Sequence, residues 1–292
     1  MGNGPKVVGI AIAGFICLVT AVHPGRARAD ENLWGYVQGT DVLPKGATEL
    51  YHWMTYRTGK DKGTYRAWDY MLELEHGFTD RLEGAVYLKG RTHTIDGGAL
   101  PEDPTREVHR GPEFNGVNLE VKYNVLSVYK DPVGLSLYLE PEYSTISKVS
   151  GERVNEVGFE SKLLLQKNFF EDQLAVAYNF MLEPEWEQEK GHANWERELG
   201  MEHTAGVSYR FLPGWFAGIE GRYHAVYPDF NGPSEGAYFI GPNIHYAAER
   251  WWVTFTFLPQ VYGHPNTPGR RSGFDFNEHE QYEFRLKFAY SF

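Results

Sequence analysis

The last twelve residues of the chain, Gln281 to Phe292, alternate strictly between apolar and polar side chains. Every even position is aromatic or Leu, and every odd position from Glu283 to Ser291 is polar, charged or small. Side chains in a strand point alternately to opposite faces, so a period of two gives one apolar and one polar face. The pattern predicts a strand that separates an apolar environment from a polar one. A strand in a soluble sheet can show the same pattern, so the rest of the chain must distinguish a membrane environment from a soluble one.

Comparable strand-like patterns recur along the chain. We predict twelve strands, at about 47–58, 65–78, 82–95, 114–128, 134–148, 154–169, 173–186, 198–212, 215–227, 236–248, 250–262 and 280–292. Their connections alternate between tight turns and longer segments. The tight turns are 79–81, 129–132, 170–172, 213–214 and 249. The connections that alternate with them, most of them longer, are 59–64, 96–113, 149–153, 187–197, 228–235 and 263–279. Short periplasmic turns and longer extracellular loops are typical of outer-membrane barrels.

The terminal strand also resembles the closing strand of bacterial outer-membrane barrels, because it ends on an aromatic residue. We therefore predict an all-β fold, a single antiparallel up-and-down transmembrane barrel of twelve strands over residues 47–292, with Phe292 as the barrel-closing signal. The predicted location is the outer membrane of a Gram-negative bacterium. The predicted partners are outer-membrane lipids, the assembly machinery that receives the C-terminal strand, and small solutes. A soluble β-sandwich is the alternative fold.

The first 29 residues have the features of a cleaved secretory signal peptide. Lys6 supplies a positive charge, Val7 to Val22 form an apolar stretch, and Ala27-Arg28-Ala29 is a cleavage site of small residues. Cys17, the single cysteine, lies inside this segment. After this segment, the sequence contains no run of about 20 apolar residues, the length that a helix needs to span a bilayer. Residence in a membrane would therefore require a closed barrel.

The charge balance is acidic, with a formal net charge of −11 at pH 7. Loss of Lys6, Arg26 and Arg28 with the signal peptide leaves 25 basic residues against 39 acidic ones. This balance argues against a nucleic-acid partner, which would require basic patches.

A short internal repeat gives the candidate site. Leu139-Glu140-Pro141-Glu142-Tyr143 and Leu182-Glu183-Pro184-Glu185-Trp186 fall on the fifth and seventh predicted strands, which run in the same direction. Alternation sends the carboxylates of both copies into the lumen. With Glu160 they predict an acidic rim: Glu140, Glu142, Glu183, Glu185 and Glu160. The rim would attract cations or hold a hard cation. A lattice of salt bridges that fills a narrow barrel is the alternative.

Basic residues are expected on another sector of the lumen, as a wall formed by Lys89, Arg91, Arg285 and Lys287. Opposed acidic and basic walls would set a transverse field across a pore. No serine and histidine combine into the nucleophile and base of a lipid-cleaving barrel, so we predict no catalytic residue. Histidines do not cluster with other ligands, and no phosphate-binding glycine loop occurs, so we assign neither a metal ligand nor a cofactor.

Residues 30–46 precede the first strand and include two aromatics, Trp34 and Tyr36. We interpret them as a periplasmic lead-in that could tuck into the barrel mouth, with a plug as the alternative. Leu33 to Gly46, Gly46 to Tyr51 and Leu74 to Leu82 together resemble a family of uncharacterised Gram-negative outer-membrane, porin-like barrels. The resemblance implies a barrel and no particular activity.

The predicted function is a narrow porin-like channel for small, preferentially cationic or polar solutes. The alternative is a non-conducting structural or surface-interaction barrel that acts through its extracellular loops, 96–113 and 263–279. In neither case is the protein expected to be an enzyme.

Overall fold

A computed structural model describes residues 32–266 and 272–292 of the protein. The strands are β1 (Thr48–Thr58), β2 (Thr64–Thr79), β3 (Leu82–Asp96), β4 (Val108–Leu126), β5 (Gly134–Ile146), β6 (Arg153–Phe169), β7 (Leu174–Glu189), β8 (Glu196–Leu212), β9 (Trp215–Pro228), β10 (Glu235–Ala247), β11 (Trp251–His264) and β12 (Tyr282–Ser291). Each pairs antiparallel with its sequence neighbours, and β1 pairs with β12 to close the barrel. The predicted barrel of twelve strands is confirmed. The predicted signal peptide lies outside the described residues.

The barrel wall is apolar outside and polar inside. On β2, Leu72 and Leu74 face outward and are 42% and 51% exposed, whereas Glu73 and Glu75 between and beside them face inward and are 3% exposed. A soluble protein in water would reverse this arrangement, because exposed apolar surface is unfavourable. In a bilayer the exposed leucines meet lipid, and the carboxylates stay in a polar lumen.

Aromatic residues face outward near both ends of the barrel. Near the short turns they include Phe78, Tyr123, Phe211 and Trp251, and near the longer loops Trp68, Tyr143, Trp186 and Tyr238, all of them exposed. Such rings anchor a barrel at the two membrane interfaces. The closed wall, the apolar band and these aromatic residues place the protein in a bacterial outer membrane. By the usual rule, the short-turn end is periplasmic and the long-loop end extracellular.

Proline residues interrupt strand pairing without ending strands. The β4–β5 pairing passes from Asn118–Glu142 to Val121–Leu139, which leaves out the pair that would contain Pro141. Pro184 likewise falls in a gap of the β6–β7 pairing. Proline has no backbone N–H to give to the neighbouring strand. Each of these prolines therefore leaves a local gap in the pairing within a continuous strand.

The described part of the segment before β1 lies within the barrel. Residues 32–43 run inside the lumen in its periplasmic half, and Trp34 and Val37 are fully buried there. Leu33, Trp34 and Val37 pack on two small residues of β7, Ala175 and Ala177. Whether the segment serves as a lead-in at the barrel mouth or as a plug stays a prediction. Inward-facing alanines leave a space that the apolar side chains of the segment fill.

Candidate functional site: the acidic lumen

The lumen contains a cavity of about 670 Å³ that lies towards the extracellular loops. Gly35, Tyr36 and Gln38 of the N-terminal segment line it at the periplasmic side and form its floor. Residues 100–103 of the β3–β4 loop and 277–280 of the β11–β12 loop line its mouth. The cavity is therefore a vestibule between the loops and the N-terminal segment.

Carboxylates dominate the lining of this vestibule. Among the described residues that line it, seventeen are Asp or Glu and nine are Lys or Arg. Most of the excess lies on β5 to β8, in a group that we call the acidic wall: Glu140, Glu142, Glu156, Glu160, Glu183, Glu185, Glu187, Glu189, Glu196, Glu198 and Glu202.

Strand register places several of these glutamates directly opposite one another. Glu140 pairs with Glu160, Glu156 with Glu187, Glu185 with Glu198, and Glu187 with Glu196. Like charges at directly opposite positions in a sheet are destabilising. A wall built from such pairs places carboxylates next to one another at a cost in stability.

The predicted rim residues come together on this wall. One carboxylate oxygen each from Glu142, Glu183 and Glu185 lie within 4.8 Å of one another. Glu160 forms an ion pair with Lys162, with 2.5 Å between Glu160 Oε1 and Lys162 Nζ. Glu140 is more enclosed, because Asn118 and Tyr138 both donate hydrogen bonds to it. The rim is thus a mixture of carboxylates held by neighbours and carboxylates grouped with one another.

The four predicted basic residues do not form one wall. Lys89 Nζ lies 2.8 Å from Glu142 Oε2, so it borders the acidic wall. Arg91 contacts Asp69 at 2.5 Å. Arg285 and Lys287 lie lower, where Arg285 donates to the Gly35 carbonyl at 3.1 Å. The stagger between neighbouring strands brings Lys89 of β3 next to Glu142 of β5, two strands away. The alternation of inward and outward side chains does not reveal such a contact.

Asp69 was not among the predicted site residues, although alternation places it inward. Its two carboxylate oxygens contact Arg57 at 2.7 Å and Arg91 at 2.5 Å. It therefore bridges two guanidinium groups with a single negative charge, and Arg57 also forms an ion pair with Glu280. Predicting this contact would have required the register of three adjacent strands, in which Asp69 of β2 pairs with Thr55 of β1 and with Arg91 of β3.

The N-terminal segment is held by inward-facing side chains of the barrel strands rather than by strand pairing. Glu220 of β9 accepts hydrogen bonds from the backbone N–H groups of Gly35 at 2.9 Å, Tyr36 at 2.8 Å and Val37 at 3.3 Å. Asn179 of β7 accepts from the Gln38 N–H at 2.7 Å and donates to its carbonyl at 2.9 Å. A carboxylate that receives several N–H donors is a strong anchor.

One glycine of the wall is required by the same segment. A side-chain carbon at Gly206 would lie 2.5 Å from Trp34 Nε1, well inside contact distance. The indole of Trp34 therefore rests directly on the β8 backbone.

Part of the β11–β12 loop folds back into the mouth of the vestibule. Asp275, Asn277 and Glu280 are buried, and Lys60 Nζ donates to the Asn277 carbonyl at 2.9 Å. Burial raises the pKa of Glu278 well above its ordinary value, and the nearby charges of Glu198 and Glu235 raise it further. This carboxylate therefore stays protonated to a higher pH than a free glutamate does.

Phe292 lies one residue beyond β12. Its backbone N–H donates to the Thr48 carbonyl at 3.1 Å, next to the β1–β12 seam, and its side chain is 75% exposed. The position is compatible with an accessible terminal signal, and that role stays a prediction.

In the described part of the chain, no helix is long and apolar enough to cross a membrane. A search of curated proteins finds no match. Among solved structures, an outer membrane channel from Pseudomonas putida F1, of the COG4313 group, is similar at 13% identity with a TM-score of 0.54, covering 93% of this chain and 100% of that one. This likeness supports the fold.

Two porins also align with the chain. The NanC porin is 12% identical with a TM-score of 0.49, covering 82% of this chain and 98% of that one. The KdgM porin in complex with disordered oligogalacturonate is 14% identical with a TM-score of 0.47, covering 84% and 99%. Residues 26–292 match a family of unknown function, DUF6662. The protein, a twelve-stranded outer-membrane barrel with an acidic vestibule, belongs to the DUF6662 family.

Proposed function

We propose that the protein is a narrow outer-membrane channel that admits small polar solutes and prefers cations. The observation that carries this proposal is the vestibule, in which seventeen acidic residues face nine basic ones. A lining with an excess of negative charge concentrates counter-ions and small cationic solutes at the entrance. The volume of about 670 Å³ suits a small molecule or a hydrated ion and not a polymer in compact form.

The acidic wall supports a role in attraction rather than in stability. Stability alone would favour opposite charges across strands, and the register instead sets glutamates against glutamates. Rings and walls of carboxylates are a general means by which cation channels select their solutes. Glu183 and Glu185 would contribute most, because they lie within the grouped carboxylates at the vestibule.

Planar-bilayer recording of the refolded protein tests the proposal. Under a salt gradient, the reversal potential should show a preference for cations. The double variant Glu183→Gln and Glu185→Gln should reduce the cation-to-anion permeability ratio by roughly half, because two field sources are lost. We choose this pair because Glu142 holds Lys89 and Glu140 holds two neighbours, so their replacement would also disturb packing.

The matched control removes the same number of charges from the periplasmic turns. Glu171→Gln with Glu249→Gln should leave the reversal potential unchanged, since both side chains lie outside the lumen and are exposed. Equal selectivity in the wild type and the Glu183 and Glu185 variant would remove the acidic wall from the mechanism.

A second candidate function is a non-conducting barrel that acts through its extracellular loops. The observation that favours it is the N-terminal segment, whose residues 32–43 occupy the periplasmic half of the lumen. Absence of conductance in the full-length protein, and also after removal of the segment, would support this alternative over the channel.

A further inference from the structure

One basic residue of the vestibule differs from the others in its contacts. Six of the nine basic residues that line the cavity form an ion pair with a carboxylate: Lys89, Arg91, Arg106, Lys162, Arg197 and Arg222. Arg285 donates to the Gly35 carbonyl, and Lys287 Nζ lies 4.0 Å from the centre of the Trp53 ring. The ninth is Lys148, in the extracellular loop between β5 and β6. Among the described residues, its ammonium group has neither an ion-pair nor a hydrogen-bond partner.

The backbone at Lys148 is fixed to one side of the barrel. Its carbonyl oxygen accepts a hydrogen bond from Arg57 Nη2 at 2.8 Å, and the Tyr65 hydroxyl and His93 Nε2 each lie 3.1 Å from it. These three groups belong to β1, β2 and β3. A carbonyl oxygen has two lone pairs, so this one is fully used. The side of the barrel formed by β1 to β3 thus fixes the point from which the lysine side chain extends, and the ammonium group takes no part in holding the loop.

The ammonium group of Lys148 lies in the space between the carboxylates of the vestibule. The residue is exposed, and it lines the cavity. Its charge acts on carboxylates from two sides of the lumen: Glu142 of β5, Glu183 of β7, Glu202 of β8 and Glu283 of β12. A charge that acts on both sides of a cavity and pairs with neither lies within the cavity. It therefore lies where a cation that enters between the loops would pass.

The acidic wall near this ammonium group attracts multivalent cations more strongly than monovalent ones. Glu183 and Glu185 form no ion pair among the described residues, and one oxygen of each lies within 4.8 Å of one oxygen of Glu142. Coulomb attraction grows with the charge of the ion, so a divalent cation gains about twice as much from such a group. A conducting pore needs binding that is strong enough for entry and weak enough for release. A positive charge held in the same space weakens the binding of a further cation.

We propose that Lys148 determines the cation specificity of the vestibule, because its ammonium group occupies the place of a bound cation and prevents divalent cations from being held there. The lysine stem is flexible, so the ammonium group can move aside for a small monovalent cation. Its charge stays nearby and opposes a divalent cation about twice as strongly. This proposal rests on the proposed cation channel, and it assigns to that channel small monovalent cations as its preferred solutes.

Block of the potassium current by Mg²⁺ in planar bilayers provides the first test. Lys148→Gln should lower the half-blocking concentration of Mg²⁺ on the order of tenfold, because the opposing charge is lost. The matched control, Lys130→Gln, makes the same change at an exposed periplasmic turn and should be blocked like the wild type. Equal half-blocking concentrations in the Lys148 and Lys130 variants would overturn the proposal.

Chemical modification separates the charge of Lys148 from an effect on its loop. Lys148→Cys, combined with Cys17→Ser so that the chain has a single thiol, should show the strong block of Lys148→Gln. A methanethiosulfonate reagent that adds an aminoethyl group restores the positive charge and should restore the weak block of the wild type. The uncharged ethyl reagent should leave the block strong. Strong block after both reagents would assign the effect to the shape of the loop and would overturn the proposal.

A binding measurement separates this proposal from that of the channel. In titration calorimetry of the refolded, detergent-solubilised protein, Lys148→Gln should bind Mg²⁺ more tightly than the wild type. The gain should disappear when Glu183→Gln and Glu185→Gln are added. This result in a barrel that does not conduct would support the role of the lysine in cation affinity and overturn only the channel. A cation-selective conductance in which Lys148→Gln changes neither the block nor the binding would overturn only the role of the lysine.

Discussion

The two halves of the lumen use similar inward-facing carboxylates in different ways. In the periplasmic half, Glu220 meets three backbone N–H groups of the N-terminal segment and serves as an anchor. In the extracellular half, glutamates of β5 to β8 meet one another across strands and line a cavity. The barrel wall alone therefore does not decide what a carboxylate does. The groups that each carboxylate meets inside the lumen decide it.

The difference also separates stability from function. Carboxylates with N–H donors stabilise the segment that they hold. Carboxylates paired with carboxylates cost stability, and in the proposed channel they would supply the field that attracts cations. The periplasmic half is built as a packed core, with Trp34 and Val37 fully buried, and the extracellular half as a charged space.

The largest expected effect comes from removing the inserted chain. Deletion of residues 32–43 should convert the periplasmic half from packed to open and raise the single-channel conductance several-fold. Lys45 and the residues that lead into β1 remain, so the barrel seam is left intact. Single-channel recording measures the change, and circular dichroism confirms that the β-barrel is still formed. A folded deletion variant with the conductance of the full-length protein would show that the segment does not form the constriction.

A smaller effect is expected from loosening the segment at its main anchor. Glu220→Gln replaces a carboxylate oxygen by an amide NH₂ group that faces backbone donors, so at least one N–H loses its acceptor. Each such buried group costs about 1–3 kcal/mol. We expect brief openings to the conductance level of the deletion variant, at a frequency above that of the wild type.

The control for this anchor variant is Glu249→Gln, which makes the same chemical change at an exposed turn. It should show the opening frequency of the wild type. If Glu220→Gln behaves like Glu249→Gln, the contacts of Asn179 and Trp34 are sufficient to hold the segment.

The barrel could be predicted from the sequence because its signal is local. Alternation within β12 and the turns that follow β2 and β6 are each contained in short stretches of chain, and the alternation of short and long connections requires only their lengths. Each strand repeats the signal, so an error in one strand does not change the fold.

The lumen could be predicted only in part, because its contacts are distant in sequence. Glu220 and Gly35 are 185 residues apart, and nothing local links them. The ion pair of Lys89 with Glu142 depends on how far each strand is staggered against the next, and alternation is silent on stagger. Trp34 and Tyr36 hinted that the segment is buried, and they did not reveal where.

The smallest expected effect concerns the pH dependence of the vestibule mouth. The pKa of Glu278 is raised by burial, with Glu198 and Glu235 adding to the shift, so the folded state binds its proton more tightly than the unfolded chain does. Stability from this group is present at low pH and is lost as the pH rises through the raised pKa. Over the same range the side chain becomes an additional negative charge at the mouth. Cation preference should therefore increase as the pH rises through this raised pKa, and Glu278→Gln should make both this increase and the loss of stability smaller. Reversal potentials and thermal unfolding across a pH series measure the two effects, and Glu249→Gln should follow the wild type in both. If the Glu278 variant keeps the wild-type pH dependence of reversal potential and unfolding, the titrating charge lies on the acidic wall and not in the loop. The vestibule mouth would then resemble the periplasmic half, as a packed region that does not contribute to cation preference.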